Sequence, residues 1–165
     1  MNLPNRFCNM EPVSLPQSMN TPPFTVVLAQ TPQDLKRSQW VRKQVFVQEQ
    51  GVPEELELDG KDSESIVFLI LDPKPQSPNQ ALATCRCRKV EGGVKVERFA
   101  VLKTYRGMGL GKRMMQSVLA YFPLDTVFLN AQKPVVSYYQ NLGFEVCSQL
   151  FYEAGIPHYT MQYIK

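Results

Sequence analysis

The stretch Val94 to Phe122 constrains the fold more than any other part of the chain. Val94, Val96, Phe99 and Val101 form a β-branched and aromatic run, Gly107, Gly109 and Gly111 follow at alternate positions, and an amphipathic segment then begins abruptly. The pattern predicts strand, glycine turn, helix. Leu110, Met114, Val118 and Tyr121 share one face of that helix, with Met115, Leu119 and Phe122 beside it, and Pro123 ends it. Without a Cβ in the way, backbone N–H groups in the turn can converge on an anion, and the helix start adds roughly half a positive charge. The stretch is therefore expected to cradle a phosphate or pyrophosphate.

The flanking elements set the class of fold. Phe24 to Ala29 predicts a first strand. Thr31-Pro32-Gln33-Asp34 has the form of a helix start, and Leu35, Trp40, Val41, Val45 and Phe46 give a roughly helical stripe that Gly51-Val52-Pro53 stops. Ser65 to Leu71, Ala81 to Val90 and Val94 to Val101 predict an antiparallel meander, joined by a loop with Pro73, Pro75 and Pro78 and by the turn Glu91-Gly92-Gly93. Thr126 to Ala131 is nearly continuous apolar sequence, as in a strand buried on both faces, and strand-helix-strand implies a right-handed crossover with parallel pairing. Pro134 opens a short helix and Gly143 suits its left-handed cap. Phe144 to Phe151 and His158 to Ile164 finish as strands around Tyr152 to Pro157. The order is β-α-β-β-β-α-β-α-β-β: a single α/β domain with a mixed sheet over residues 24–165, behind an extended or disordered arm over residues 1–23.

Composition excludes several tasks. The formal charge is only +3 and the basic residues are scattered, so nucleic-acid binding is not expected; that rival would show strongly salt-dependent binding. The longest purely apolar run, Ile66 to Leu71, is too short to cross a bilayer, no basic-then-apolar signal opens the chain, and no membrane partner is expected. Four unevenly spaced cysteines read as reduced thiols in the cytoplasm, and Cys85 and Cys87 lack a second pair at ligand spacing, so no metal is expected. Glu54 to Glu64 holds six of the fifteen acidic residues, which reads either as a solvated loop or as an attraction for a cationic substrate.

The glycine turn fails two common templates. A dinucleotide fingerprint needs glycine where Lys112 stands, and a Walker A loop needs glycine where Arg106 stands and a hydroxyl residue in place of Arg113. What remains, Arg106-x-x-Gly109-x-Gly111 after the strand Glu97-Arg98-Phe99-Ala100-Val101, resembles the acetyl-CoA signature of the GCN5-related N-acetyltransferases (GNAT). The resemblance runs from about Phe24 onward and includes a later Tyr-x-x-x-Gly-Phe, here Tyr139 to Phe144. With LNAQ and the closing FYEAGIPH, the chain looks most like small bacterial members without an assigned substrate.

The resemblance implies a GNAT-like mixed sheet with helices on both faces and splayed parallel strands at the cofactor. Phe99, Ala100 and Val101 would contact pantetheine and the acetyl group through their main chain, while Arg106, Gly107, Met108, Gly109, Leu110, Gly111 and Lys112 would cradle the pyrophosphate. Gln132 stands where many members place an asparagine that binds the arm, with Asn130 as the alternative. The reaction implied is acetyl transfer from acetyl-CoA to a small-molecule or peptide amine by direct attack in a ternary complex. An acyl-CoA sensor on the same scaffold is the alternative, and the resemblance favours a homodimer.

Such a transfer needs a neutral amine, a held oxyanion and a proton for the leaving thiolate. Tyr139 matches the family's general acid, and Tyr138 is adjacent, about 100° around the helix. Glu97 is the candidate base, placed by strict alternation on the same face as Phe99 and Val101; a salt bridge to Arg86 or Arg88 is the competing role. His158, the only histidine, lies in the region where the family builds its acceptor pocket.

Overall fold

The structure, a computed structural model, describes residues 24–73 and 80–165. The arm expected over 1–23, and Pro75 and Pro78 of the expected proline loop, lie outside the described residues. Strands β1 (Val26–Leu28), β2 (Ile66–Leu71), β3 (Ala81–Val90) and β4 (Gly93–Val101) form the antiparallel meander, with Phe68 opposite Cys85 and Cys87 opposite Val96. Strand β5 (Val127–Gln132) runs parallel to β4. The last long strand, β8 (Ile156–Tyr163), pairs antiparallel with β5 and also carries β6 (Phe144–Val146) and β7 (Phe151–Glu153). The sheet order is β1-β2-β3-β4-β5-β8-β6, the mixed α/β arrangement expected.

Helix α1 (Pro32–Arg42) starts at a capping box in which Asp34 N–H donates to the Thr31 hydroxyl at 3.2 Å and Thr31 N–H donates to the Asp34 carboxylate at 3.1 Å. It continues as a π-helical segment over Lys43–Glu49, where Gln50 N–H reaches back five residues to the Val45 carbonyl. A short α2 (Glu54–Glu57) follows. Helix α3 (Leu110–Tyr121) and short α4 (Val136–Gln140) cover the opposite face of the sheet. There Met114, Met115 and Val118 pack on Phe68, Cys85, Cys87 and Leu129, as the apolar stripe demands. Val41 and Val45 form a smaller cluster with Leu69, Ala81 and Ala100 under α1 and the π-helical segment.

Four expectations change. Trp40 lies on the outer side of α1, whose inner face is Ser38, Val41 and Arg42; Ser38 hydrogen-bonds Thr84 at 2.8 Å, so a polar contact replaces the expected aromatic one. The segment around Tyr152 to Pro157 is a hairpin, not a connector. Ala154 and Gly155 both take positive φ, 49° and 74°, as a two-residue turn between β7 and β8 requires. The run Glu54 to Glu64 is only partly solvated: Glu54, Glu55 and Glu64 are exposed, while Glu57 and Asp62 are buried against arginines. Finally, β4 does not alternate strictly: Arg98 has φ 52°, and two residues of β4 stand opposite Cys85 between the pairs Arg86↔Glu97 and Thr84↔Ala100. This bulge shifts the side-chain phase by one residue.

Candidate active site

Strands β4 and β5 pair only from Val94↔Val127 to Val96↔Leu129, yet they run on to Val101 and Gln132. Past the third pair they part, and a cleft of about 1000 Å³ opens between them. The bulge sets what faces this opening. Leu102 N–H donates to the Leu82 carbonyl of the β3 chain at 2.9 Å, so Ala100, two residues before, also directs its main chain toward β3. Phe99 and Val101 therefore present their amides and carbonyls to the splay, and Ala100, expected to do the same, turns away.

The glycine turn closes one end of the cleft. Gly107 and Gly109 both have φ 80°, which an L side chain rarely adopts, and Gly109 leads into α3. A Cβ on Gly111 would lie 2.3 Å from the Tyr138 hydroxyl, so the helix start and the α4 tyrosine meet without room for a side chain. Arg113 N–H makes its bond to the Gly109 carbonyl at 3.1 Å, and the amides before it are those a helix leaves unpaired at its N-terminus. Every expected cradle residue lines the cleft except Met108, which stands 47 % exposed outside it.

Two contacts clasp the cleft from the π-helical side. Arg106 holds the Glu49 carboxylate with two bonds of 2.6 and 2.7 Å and donates through Nε to the Val101 carbonyl at 3.0 Å. The hydrogen bonds to Glu49 raise the Arg106 pKa, and Arg106 lowers that of Glu49. Next in sequence, Gln50 accepts a hydrogen bond from Gln132 at 3.0 Å. Gln132 thus reaches the cleft but meets a protein amide there, while Asn130 donates to Glu153 at 2.8 Å and accepts from Thr160 at 3.0 Å.

Tyr139 lines the cleft at 8 % exposure, edge-on to Phe99 with ring centroids 6.0 Å apart and to Phe144 at 5.9 Å. Burial among these rings, reinforced by Tyr138, raises its pKa well above the usual phenol range and keeps it a proton carrier. Tyr138, 37 % exposed, turns toward Gly111. The two tyrosines are separated as helical geometry requires, and the buried one faces the splay.

Glu97 also lines the cleft, but from the other face of β4. The bulge puts Phe99 and Val101 on the α3 side with Val94 and Val96, whereas Glu97 faces Arg86 and Arg88 on the α1 side. It bonds Arg86 at 2.9 Å and Arg88 at 2.7 Å, with Lys95 at 3.6 Å. Burial alone would raise its pKa, but the two guanidiniums outweigh burial and hold it at about 2. The expected base is thus a weak proton acceptor, and the competing salt-bridge role is the one its contacts supply. The same network takes up three of the six acidic residues of the run: Asp59 pairs with Arg86 and Arg98, Glu57 with Arg42 and Arg98, and Asp62 with Arg42 and Arg86. Those three carboxylates are therefore already committed to arginines, which weakens the attraction of the run for a cationic acceptor.

His158 is 7 % exposed, lines the cleft, and stacks on Phe151 with centroids 5.9 Å apart. Strict pairing sets it opposite Gln132. Among the described residues no group of three or more His, Cys, Asp or Glu could hold a metal ion, and no helix is long and apolar enough to cross a membrane.

Residues 40–165 match the family model described as an acetyltransferase (GNAT) domain. The uncharacterized N-acetyltransferase YjcF of Bacillus subtilis is 35 % identical over 139 residues, covering 82 % of this chain and 96 % of that protein. Escherichia coli ElaA is 30 % identical over 128 residues, 73 % of this chain and 81 % of ElaA, and its crystal structure superposes with a TM-score of 0.73 over 86 % of this chain and 99 % of that one. The crystal structure of an acyl-CoA N-acyltransferase from Pseudomonas aeruginosa gives a TM-score of 0.72 at 27 % identity, over 86 % of this chain and 99 % of that one. The splayed strands, the glycine turn at a helix start and these matches lead to one conclusion: the chain belongs to the GNAT family and is an acyl-CoA-dependent N-acyltransferase.

Proposed function

We propose that the protein transfers an acetyl group from acetyl-CoA to a primary amine by direct attack in a ternary complex. The observation that carries this reading is the single cleft that joins the glycine turn, the splayed edge of β4 and the Tyr139 hydroxyl. The amides at the start of α3 bind the pyrophosphate, with Lys112 beside them adding charge. The main chain of Phe99 and Val101 aligns the pantetheine arm and offers an amide to the oxyanion. Tyr139, kept protonated by its apolar surroundings, gives its proton to the departing thiolate. Glu97 contributes as an anchor of the bulged strand rather than as the base, because Arg86 and Arg88 own its lone pairs. Among the described residues no cysteine lines the cleft as an acyl carrier: Cys85 and Cys87 are buried in the meander and Cys147 lies outside the cleft, and free thiols suit a cytoplasmic setting.

The test is to incubate the protein with acetyl-CoA and a panel of polyamines, amino sugars, peptide N-termini and lysines while following free CoA thiol. Turnover with at least one amine is expected; CoA binding without turnover on any of them would favour the sensor. Gly109→Glu puts a side chain at φ 80° and a carboxylate into the cradle, and it should abolish CoA binding. Retained affinity in that variant would remove the cradle from this site.

A further inference from the structure

With Glu97 withdrawn, the acetyl-transfer reading lacks an acceptor for the proton that the attacking amine loses. The carboxylates of the cleft do not supply one. Glu57, Asp59 and Glu97 are engaged by arginines, and Glu153 receives the Asn130 amide on the exposed rim. His158 differs from all of them in how its ring is held. Its Nδ1 lies 2.7 Å from the Ile156 carbonyl oxygen. A carbonyl only accepts, so Nδ1 carries the hydrogen and the neutral ring keeps its lone pair on Nε2. Phe151 stacks on the ring and fixes its plane.

The side of the sheet matters as much as the tautomer. His158 and Gln132 stand directly opposite each other in an antiparallel pair, so their side chains share a face. Gln132 reaches Gln50 at the end of the π-helical segment, which fixes that face as the α1 side. Tyr139 rises from α4 on the other face. A thioester lying in the splay would therefore have the hydroxyl donor on one side and the imidazole on the other. Of the elements packed against His158, β5 presents the uncharged Asn130 and Gln132, and β7 presents Phe151 and the charged Glu153; Lys95, Arg88 and Glu97 line the cleft across from it.

We propose that Nε2 of His158 is the general base of the transfer, a role that rests on the acetyl-transfer reading above. The amine nitrogen forms its bond to the thioester carbonyl carbon, and the tetrahedral adduct gives its N–H proton to Nε2. The C–S bond then breaks, and the sulfur takes the Tyr139 proton. The products are the N-acetylated amine and free CoA thiol, and solvent returns the proton from imidazole to tyrosinate.

The chain contains one histidine, so histidine-selective ¹⁵N NMR of the full-length protein reads this ring alone. The Nδ1–H tautomer is the expected result. An Nε2–H tautomer overturns the assignment, whether or not an acceptor amine has been found. With an amine that turns over, His158→Asn keeps a donor near the Ile156 carbonyl but has nothing in place of Nε2. It should lower kcat/KM about 10²- to 10³-fold, with acetyl-CoA affinity within about twofold of wild type. It should also lose the part of the acidic limb of the pH profile that the amine's own ionisation does not explain. Wild-type kcat/KM and pH profile in His158→Asn overturn the assignment, as does a loss of activity explained by lost CoA binding. Absence of turnover by the wild type on every amine overturns the transfer reading itself, and the base falls with it.

Discussion

The two faces of β4 carry opposite chemistry within one strand. Toward α3 and α4 lie Val94, Val96, Phe99 and Val101, and the polar group set among them is the Tyr139 hydroxyl. Toward α1 and α2 lies Glu97 in a web of arginines that extends through Arg86 to Asp59 and Asp62. Dry surroundings keep a phenol neutral; a web of paired charges keeps a carboxylate ionised. One face thus keeps a phenol protonated and the other holds a shape. The bulge at Arg98 is the device that separates them, because without it Glu97 and Phe99 would share a side.

This contrast can be broken most severely at Arg86, which is 1 % exposed and serves three carboxylates. Arg86→Ala removes one partner from each of them and leaves Asp59 to Arg98, Asp62 to Arg42 and Glu97 to Arg88, so it should cost about 3 kcal/mol in urea unfolding, the low end of the penalty for breaking a buried pair. A loss below about 1 kcal/mol would mean that the web is decoration. Acid attacks the same face. The folded pKa of Glu97, about 2, lies below its unfolded value of 4.5, so its stabilisation is complete above pH 4.5 and is lost as pH falls toward 2. The size is at most about 3 kcal/mol, reduced by solvent screening of the web. Glu57 runs the other way, because burial raises its pKa above that of the unfolded chain and protonation there favours the fold. Urea midpoints should therefore drop through this window, with a gentler slope in Glu97→Gln; an equal slope in the variant would place the loss on other carboxylates.

On the dry face the effects are kinetic. Tyr139→Phe should lower kcat about 100-fold, near 2.7 kcal/mol of barrier, and leave acetyl-CoA affinity within twofold. An unchanged rate would end its role as the acid. The smallest effect is expected at Tyr138, whose hydroxyl abuts Gly111 rather than the apolar end of the splay. Tyr138→Phe should alter kcat less than about threefold; a loss as large as that of Tyr139→Phe would reverse the assignment of the pair.

The order of elements and the glycine turn were legible in the sequence because their signals are local. A helix stripe, three glycines and a Tyr-x-x-x-Gly-Phe each speak through neighbouring residues. The bulge was also written there, though it takes a stricter reading: the apolar positions step from Val96 to Phe99, an odd interval that strict alternation forbids. The buried half of the acidic run is hidden for a different reason. Its partners Arg86 and Arg98 stand 27 and 39 residues beyond Asp59, and a charge run read alone says nothing of counter-charges that arrive by folding. The β7–β8 hairpin escaped because Ala154 fills a left-handed position that glycine or asparagine usually signals. His158 stands out in the sequence as its one histidine, but its tautomer depends on a carbonyl that only the fold of its own strand brings near.

The Glu49–Arg106 clasp has a consequence for affinity. Arg106 already grips an anion at two points, and both partners sit at the solvent rim, with side-chain exposures of 41 % and 33 %. A phosphate reaching this guanidinium would have to displace Glu49, so its gain would be a difference between two anions, not the full worth of a charge pair. Binding through Arg106 would then be an exchange of counter-ions, with Glu49 as the one already in place.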